Sequence, residues 1–93
     1  MNDKEFRELC IDAVRAWYSD CEEQHRPNNI YIVWQCKTLQ NSKALVSTDK
    51  SDGYYFEVTY NGDKHEAYLD AYTKISNNVI EIDKDDVFRA LKD

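Results

Sequence analysis

The stretch from Tyr54 to Tyr72, YYFEVTYNGDKHEAYLDAY, constrains the fold more than any other part of the chain. Apolar and polar residues alternate on both sides of Asn61-Gly62, and an Asn-Gly pair favours a two-residue type I′ turn. A hairpin closed by that turn places Glu57 directly opposite Glu66. Like charges that face each other destabilise a strand pair, so this opposition marks either a site or a tolerated surface.

The rest of the chain predicts helices at both ends and further strands between them. Residues 3–24 carry apolar side chains at steps of three and four, which is typical of an amphipathic helix. Residues 30–36 and 43–48 alternate with a period of two and predict two strands before the hairpin. Residues 79–82 predict a short fifth strand, and a short C-terminal helix is expected from Asp83 onward.

Length and charge limit the classes of function. The chain has 93 residues, so residues 1–93 are predicted to form a single α+β domain, a long N-terminal helix packed on a four- to five-stranded antiparallel meander sheet. The net charge of −6 argues against general nucleic-acid binding, which requires a basic surface. This charge either keeps a small protein dispersed or favours a basic partner.

No membrane or secretion signal is predicted. No apolar run approaches the roughly 20 residues that span a bilayer. The N-terminus, MNDKEFRELC, lacks the basic start and apolar core of a signal peptide. We therefore expect the protein in the cytoplasm.

No catalytic residue, metal site or cofactor is predicted. Cys10, Cys21 and Cys36 are odd in number and contain no CxxC pair, which favours buried free thiols. The two histidines lie at no metal-ligand spacing, and two glycines are too few for a phosphate-binding loop. The Glu57–Glu66 pair would lie on a flat sheet near lysines, so we expect no enzyme.

The predicted register divides the strands into two faces, because side chains alternate along each strand. The face expected to pack under the first helix carries Ile30, Ile32, Trp34, Cys36, Ala44, Val46, Tyr54, Phe56, Val58, Ala67, Leu69 and Ala71. The other face is rich in tyrosine and acidic residues, and tyrosine is enriched at protein interfaces. Its candidate partner-binding residues are Tyr31, Tyr55, Glu57, Glu66, Tyr68, Asp70 and Tyr72.

Three interpretations of this second face remain open. It is an ordinary exposed sheet face with cross-strand aromatic pairs, a face partly covered by the C-terminal helix, or a binding face for a partner or a second copy.

Two segments carry a resemblance to a known family. VWQCKTLQNSKALVST (33–48) and YFEVTYNGDKHEAYLDAY (55–72) resemble a family of small uncharacterised proteins from phages and prophages of Gram-positive bacteria. That family implies no activity and no catalytic residue for this chain. Residues 56–82 are also similar in topology to PepSY and cystatin-like domains, although Lys74 stands where PepSY domains usually have glycine. This likeness implies a helix on a curved antiparallel sheet and transfers no function.

The leading expectation is a non-enzymatic phage-type protein that acts by protein–protein contact inside the host cell. Its surface would be the tyrosine-rich acidic face. In one variant of this expectation, the protein inhibits a basic, nucleic-acid-binding host protein. No direct nucleic-acid or membrane contact is expected. The alternative is a structural protein or a homodimer that uses the same face for self-association.

Overall fold

The computed structural model of the protein describes residues 1–82. Along the chain, its elements are α1 (Asp3–Trp17), a short 3₁₀ helix (Glu23–His25), β1 (Ile30–Thr38), β2 (Asn41–Thr48), β3 (Tyr54–Asn61) and β4 (Glu66–Thr73). The strands form one four-stranded antiparallel sheet in the order β1-β2-β3-β4. The predicted α+β class, with an N-terminal helix on an antiparallel meander, is confirmed.

A capping box starts α1. The side chain of Asn2 accepts a hydrogen bond from the Glu5 N–H at 2.8 Å, and the Glu5 carboxylate accepts one from the Asn2 N–H at 3.1 Å. Two N–H groups that lack a partner inside the helix are thereby satisfied. Glu5 also places negative charge at the positive end of the helix dipole.

The helix ends earlier than the predicted residue 24. After Trp17 the chain turns, and the guanidinium of Arg26 donates hydrogen bonds to the carbonyl oxygens of Ser19 and Cys21 at 2.9 and 3.0 Å. Because Arg26 satisfies these carbonyl groups, the turn needs no continuing helix. The apolar spacing that includes Cys21 reflects a turn packed against the core rather than a longer helix.

The core lies between α1 and the sheet. Its buried residues are Phe6, Cys10, Val14, Tyr18, Ala44, Val46, Phe56 and Val58. Trp17 covers one end of this cluster, with its ring 5.0 Å from that of Phe56 and 5.1 Å from that of Tyr54, both edge-on. The buried residues of β2 and β3 belong to the predicted core face, whereas the burial of Tyr18 was not predicted.

A β-bulge at Val33 overturns part of the predicted face of β1. Ile32 pairs with Val46, but the next paired residue is Trp34, opposite Leu45. An extra residue in one strand reverses the faces of all residues that follow it. Trp34 and Cys36 therefore lie on the face away from α1, and the prediction that they belong to the core is wrong.

The β3–β4 hairpin has a wider turn than predicted. Asn61 is the last residue of β3 and pairs with Glu66, so residues 62–65 form the turn. Glu57 consequently faces Asp70 rather than Glu66, four residues further along β4. An even displacement leaves every side chain on its predicted face, so the face assignment survives although the predicted pairs are wrong.

Asn61 and Gly62 fit this wider turn through hydrogen bonds and close packing rather than through a type I′ turn. Asn61 Oδ1 accepts hydrogen bonds from the backbone N–H groups of Asp63 and Lys64 at 3.1 and 3.3 Å. Gly62 approaches the β1–β2 turn so closely that a Cβ atom would lie 2.2 Å from the carbonyl oxygen of Gln40. A glycine is required here for space rather than for positive φ.

The predicted fifth strand does not form. Residues 74–82 adopt neither helix nor strand, and large aliphatic side chains there, including Ile75 and Val79, are exposed. The predicted C-terminal helix lies outside the described residues.

Candidate functional site

The sheet face opposite α1, here called the open face, carries every residue predicted for partner binding. The register places Tyr55 beside Tyr72 and Glu57 beside Asp70, while the alternate residues Phe56 and Val58 are buried under the helix. The predicted residues on the open face are Tyr31, Tyr55, Glu57, Glu66, Tyr68, Asp70 and Tyr72.

Two carboxylates and one lysine form the centre of the open face. Glu57 of β3 lies opposite Asp70 of β4, and Lys43 Nζ of β2 lies 3.0 Å from Glu57 Oε1. The hydrogen bond to Glu57, together with its charge, raises the pKa of Lys43 above its usual value. Lys43 therefore stays protonated and offsets part of the repulsion between the two acids.

A pair of tyrosines flanks this centre. The rings of Tyr55 and Tyr72 stack with centroids 5.2 Å apart and planes inclined by 16°. The negative charge of Glu57, then partial burial, then Asp70 raise the pKa of Tyr72. Tyr72 consequently remains a neutral phenol that presents an apolar ring and a hydroxyl donor.

Glu66, the remaining acidic residue of the open face, accepts a hydrogen bond from a tyrosine of the same strand. The Tyr68 hydroxyl donates a hydrogen bond to Glu66 Oε2, and this bond raises the pKa of Tyr68. Since Glu66 pairs with Asn61 near the turn, it lies apart from the Glu57–Asp70 pair. The acidic charge is spread along β4 rather than gathered at one point.

Beyond Lys43, the part of the open face on β1 and β2 carries a cluster of apolar residues, of which Trp34 was not predicted to lie on this face. Val33 and Leu45 line one wall of a shallow depression of about 600 Å³ that also includes Tyr55. Trp34, opposite Leu45, is 51% exposed. Residues 30–34 are apolar or aromatic at every position, and this run interrupts strict alternation where the bulge occurs.

The cysteines differ from the predicted set of buried thiols. Cys10 is buried, Cys21 is partly buried and Cys36 is exposed. Burial raises the pKa of the Cys10 thiol to about 11, so Cys10 stays protonated near neutral pH. Among residues 1–82 no group of three or more acidic, histidine or cysteine side chains is placed to hold a metal ion.

A partly buried hydrogen bond connects Tyr18, at the end of α1, to the β2–β3 loop. The Tyr18 hydroxyl donates to Asp52 Oδ2 at 2.6 Å, and Asp52 Oδ1 accepts from the Tyr54 N–H at 3.0 Å. Burial, followed by the hydrogen bond and charge of Asp52, raises the pKa of Tyr18 well above its usual value. Asp52 thereby positions the start of β3, whose second residue, Tyr55, lies on the open face.

The raised pKa of Tyr18, caused first by burial and then by Asp52, predicts a dependence of stability on alkaline pH. The stability linked to this shift is complete below the pKa of an unfolded tyrosine, about 10, and is lost as pH rises above it, because the unfolded Tyr18 then ionises before the folded one. Tyr18→Phe should lower the free energy of unfolding by about 1 kcal/mol at pH 7 and make its decline above pH 10 shallower. Urea unfolding between pH 7 and 11 measures both effects.

Asp52→Asn is the matched control for Tyr18→Phe. It keeps an oxygen acceptor but removes the charge, so its decline at alkaline pH should lie between those of the wild type and Tyr18→Phe. Equal slopes for Tyr18→Phe and the wild type would contradict the assigned pKa shift.

One helix on one face of a four-stranded antiparallel meander, with the opposite face open, defines a small α+β protein class. The chain belongs to a family of unknown function, DUF6275, whose family model matches residues 7–82. No curated protein and no solved structure matches the chain. Membership in an uncharacterised family is thus confirmed, whereas the phage origin and the PepSY and cystatin likeness remain predictions. No helix within residues 1–82 has the length and apolar character required to cross a bilayer.

Proposed function

We propose that the protein is a non-enzymatic phage-type protein that acts in the cytoplasm of a Gram-positive host by binding a basic host protein through the open face. Binding of this kind would inhibit the partner. The observation that carries the proposal is the concentration of exposed tyrosine and acidic side chains on a sheet face that no described helix or strand covers.

The charge of the open face supports a basic partner. Glu57 shares its charge with Lys43, but neither Glu66 nor Asp70 takes part in an ion pair within residues 1–82. Lysine or arginine side chains of a partner could pair with these two carboxylates, and a net charge of −6 favours approach of a basic surface over long range.

The aromatic side chains supply contact area. Tyr68 and Tyr72 are 48% and 40% exposed, and Trp34 extends the aromatic surface toward β1. Tyrosine and tryptophan often account for most of the binding energy at interfaces, because large rings are buried at low entropic cost. The surface thus combines apolar anchors on β1 and β2 with acidic groups on β3 and β4.

The geometry of the acidic pair supports a non-enzymatic function. Glu57 and Asp70 lie on an extended sheet surface, and the depression beside Leu45 and Tyr55 includes neither of them.

Two triple variants with equal charge changes test the proposal. The first, Glu57→Gln/Glu66→Gln/Asp70→Asn, removes three negative charges from the open face. The matched control, Glu8→Gln/Asp20→Asn/Glu23→Gln, removes three from exposed positions on and after α1. Retention of basic proteins from host lysate should fall for the first variant and stay near the wild-type level for the control.

A third variant, Tyr55→Ser/Tyr68→Ser, tests the aromatic part and should also reduce retention. Equal loss of retention for both triple variants would assign binding to net charge rather than to the open face. Partner profiles identical to that of the wild type for the open-face variants would refute the proposal.

A further inference from the structure

The outer edge of β4 is regular and unpaired within residues 1–82. Strand order ends at β4, and its ladder with β3 runs without irregularity from Glu66 to Thr73. The other edge strand, β1, carries the bulge at Val33. Bulges discourage pairing at sheet edges, whereas a long regular edge offers its backbone groups to another strand.

The backbone groups that β4 directs outward can be assigned. The Lys74 N–H donates to the Gly53 carbonyl oxygen at 2.8 Å, so Lys74 directs its backbone groups toward β3. Because these directions alternate in an antiparallel ladder, Leu69, Ala71 and Thr73 direct theirs outward. A strand added at this edge must pair odd-numbered residues with partners that also point outward.

The helix leaves β4 uncovered. α1 packs mainly against β1, β2 and β3. On that side of β4, Leu69 is only partly buried and Ala71 is exposed. Two residues after β4, Ile75 is 97% exposed. Exposed or partly exposed apolar groups thus lie on the helix side of this edge, which is unpaired within residues 1–82 and has room for a second strand.

We infer that two copies of the chain pair through β4 in antiparallel orientation, about a two-fold axis at Tyr72. This register places Asp70 opposite Lys74 of the second copy, and by symmetry forms the same ion pair twice. It also places Ile75 opposite Leu69 of the second copy, on the helix side of the sheet. The two sheets become one continuous sheet with both helices on the same face.

Other registers of the same dimer leave Asp70 without an opposite charge or Ile75 without an opposite apolar residue. With the axis at Leu69, Ile75 would face the β3–β4 turn rather than a strand residue of the second copy. The Asp70 side chains of the two copies would then lie diagonally across from each other. A shift of the strand pairing by an odd number of residues would set outward-pointing backbone groups opposite inward-pointing ones, so such pairings are excluded. The register centred on Tyr72 pairs both the free carboxylate and the exposed aliphatic side chain.

This inference does not rest on the proposed function, although Asp70 and Tyr72 also belong to the open face. The dimer forms through the edge of the sheet and is measured without any partner protein, so the two proposals can fail separately. A reciprocal charge exchange tests the inferred dimer. In Lys74→Asp, Asp70 would face an aspartate of the second copy, and in Asp70→Lys, lysine would face Lys74. Each variant alone should raise the dimer dissociation constant by about tenfold or more, measured by sedimentation equilibrium.

Mixing the two variants should restore dimers of near wild-type affinity, since both cross-copy pairs are then of opposite charge. Trp34→Ser is the matched control, because it should weaken a dimer formed by stacked open faces but leave the edge dimer intact. Circular dichroism checks that each variant is folded.

Hydrogen exchange of the wild type supplies a test that needs no variant. The amides of Leu69, Ala71 and Thr73 should become protected as protein concentration rises. Protection independent of concentration would show that another segment of the same chain covers this edge and would overturn the inference. A monomeric wild type, or failure of the mixed variants to associate, would also overturn it.

Discussion

Replacement of Phe56 by alanine should lower the free energy of unfolding by about 3–5 kcal/mol, because it removes a fully buried ring and leaves a cavity. Phe56 contacts the ring of Trp17 and lies at the centre of the layer between α1 and the sheet. Urea denaturation followed by circular dichroism measures the change. A loss of this size is a large share of the stability of a small domain.

Trp34→Ala is the control for this prediction, because it also truncates an aromatic residue within the sheet. Trp34 lies on the open face after the bulge, so its replacement should cost about 1 kcal/mol or less. Comparable losses for Trp34→Ala and Phe56→Ala would contradict the bulge at Val33 and return Trp34 to the core.

Replacement of Gly62 by alanine should cost about 1–3 kcal/mol, because the new Cβ would overlap the carbonyl oxygen of Gln40. That oxygen belongs to the backbone, so relief requires the two turns to separate. Asp63→Ala, which changes an exposed neighbour in the same turn, should alter stability by about 0.5 kcal/mol or less. A Gly62→Ala variant as stable as Asp63→Ala would show that the turns do not make this contact.

The helix and the face assignment of β2, β3 and β4 could be predicted because both depend only on the spacing of apolar residues. The alternation of side chains shows whether the pairing of two strands is shifted by an even or an odd number of residues, but it does not show how large the shift is. The hairpin error moved the partner of Glu57 from Glu66 to Asp70, an even displacement, so the candidate residues kept their common face.

The features that could not be predicted depend on contacts between distant parts of the chain. The bulge at Val33 is one residue long and reverses the second half of β1, and only its pairing with β2 shows it. In the β3–β4 turn, Gly62 closely approaches Gln40, which lies in another hairpin, and the sequence does not show this contact. The alternation at residues 79–82 has the composition of a strand but gains no partner in the described part of the chain.

For the dimer inferred through β4, the bulge in β1 has a further consequence. A sheet with two regular edges could add copies at both sides without end, as fibres do, whereas a sheet with one regular edge forms a closed pair and stops. In this protein, Val33 makes β1 irregular and β4 remains regular. In the inferred dimer, the irregular β1 edge therefore favours a closed pair over a growing fibre.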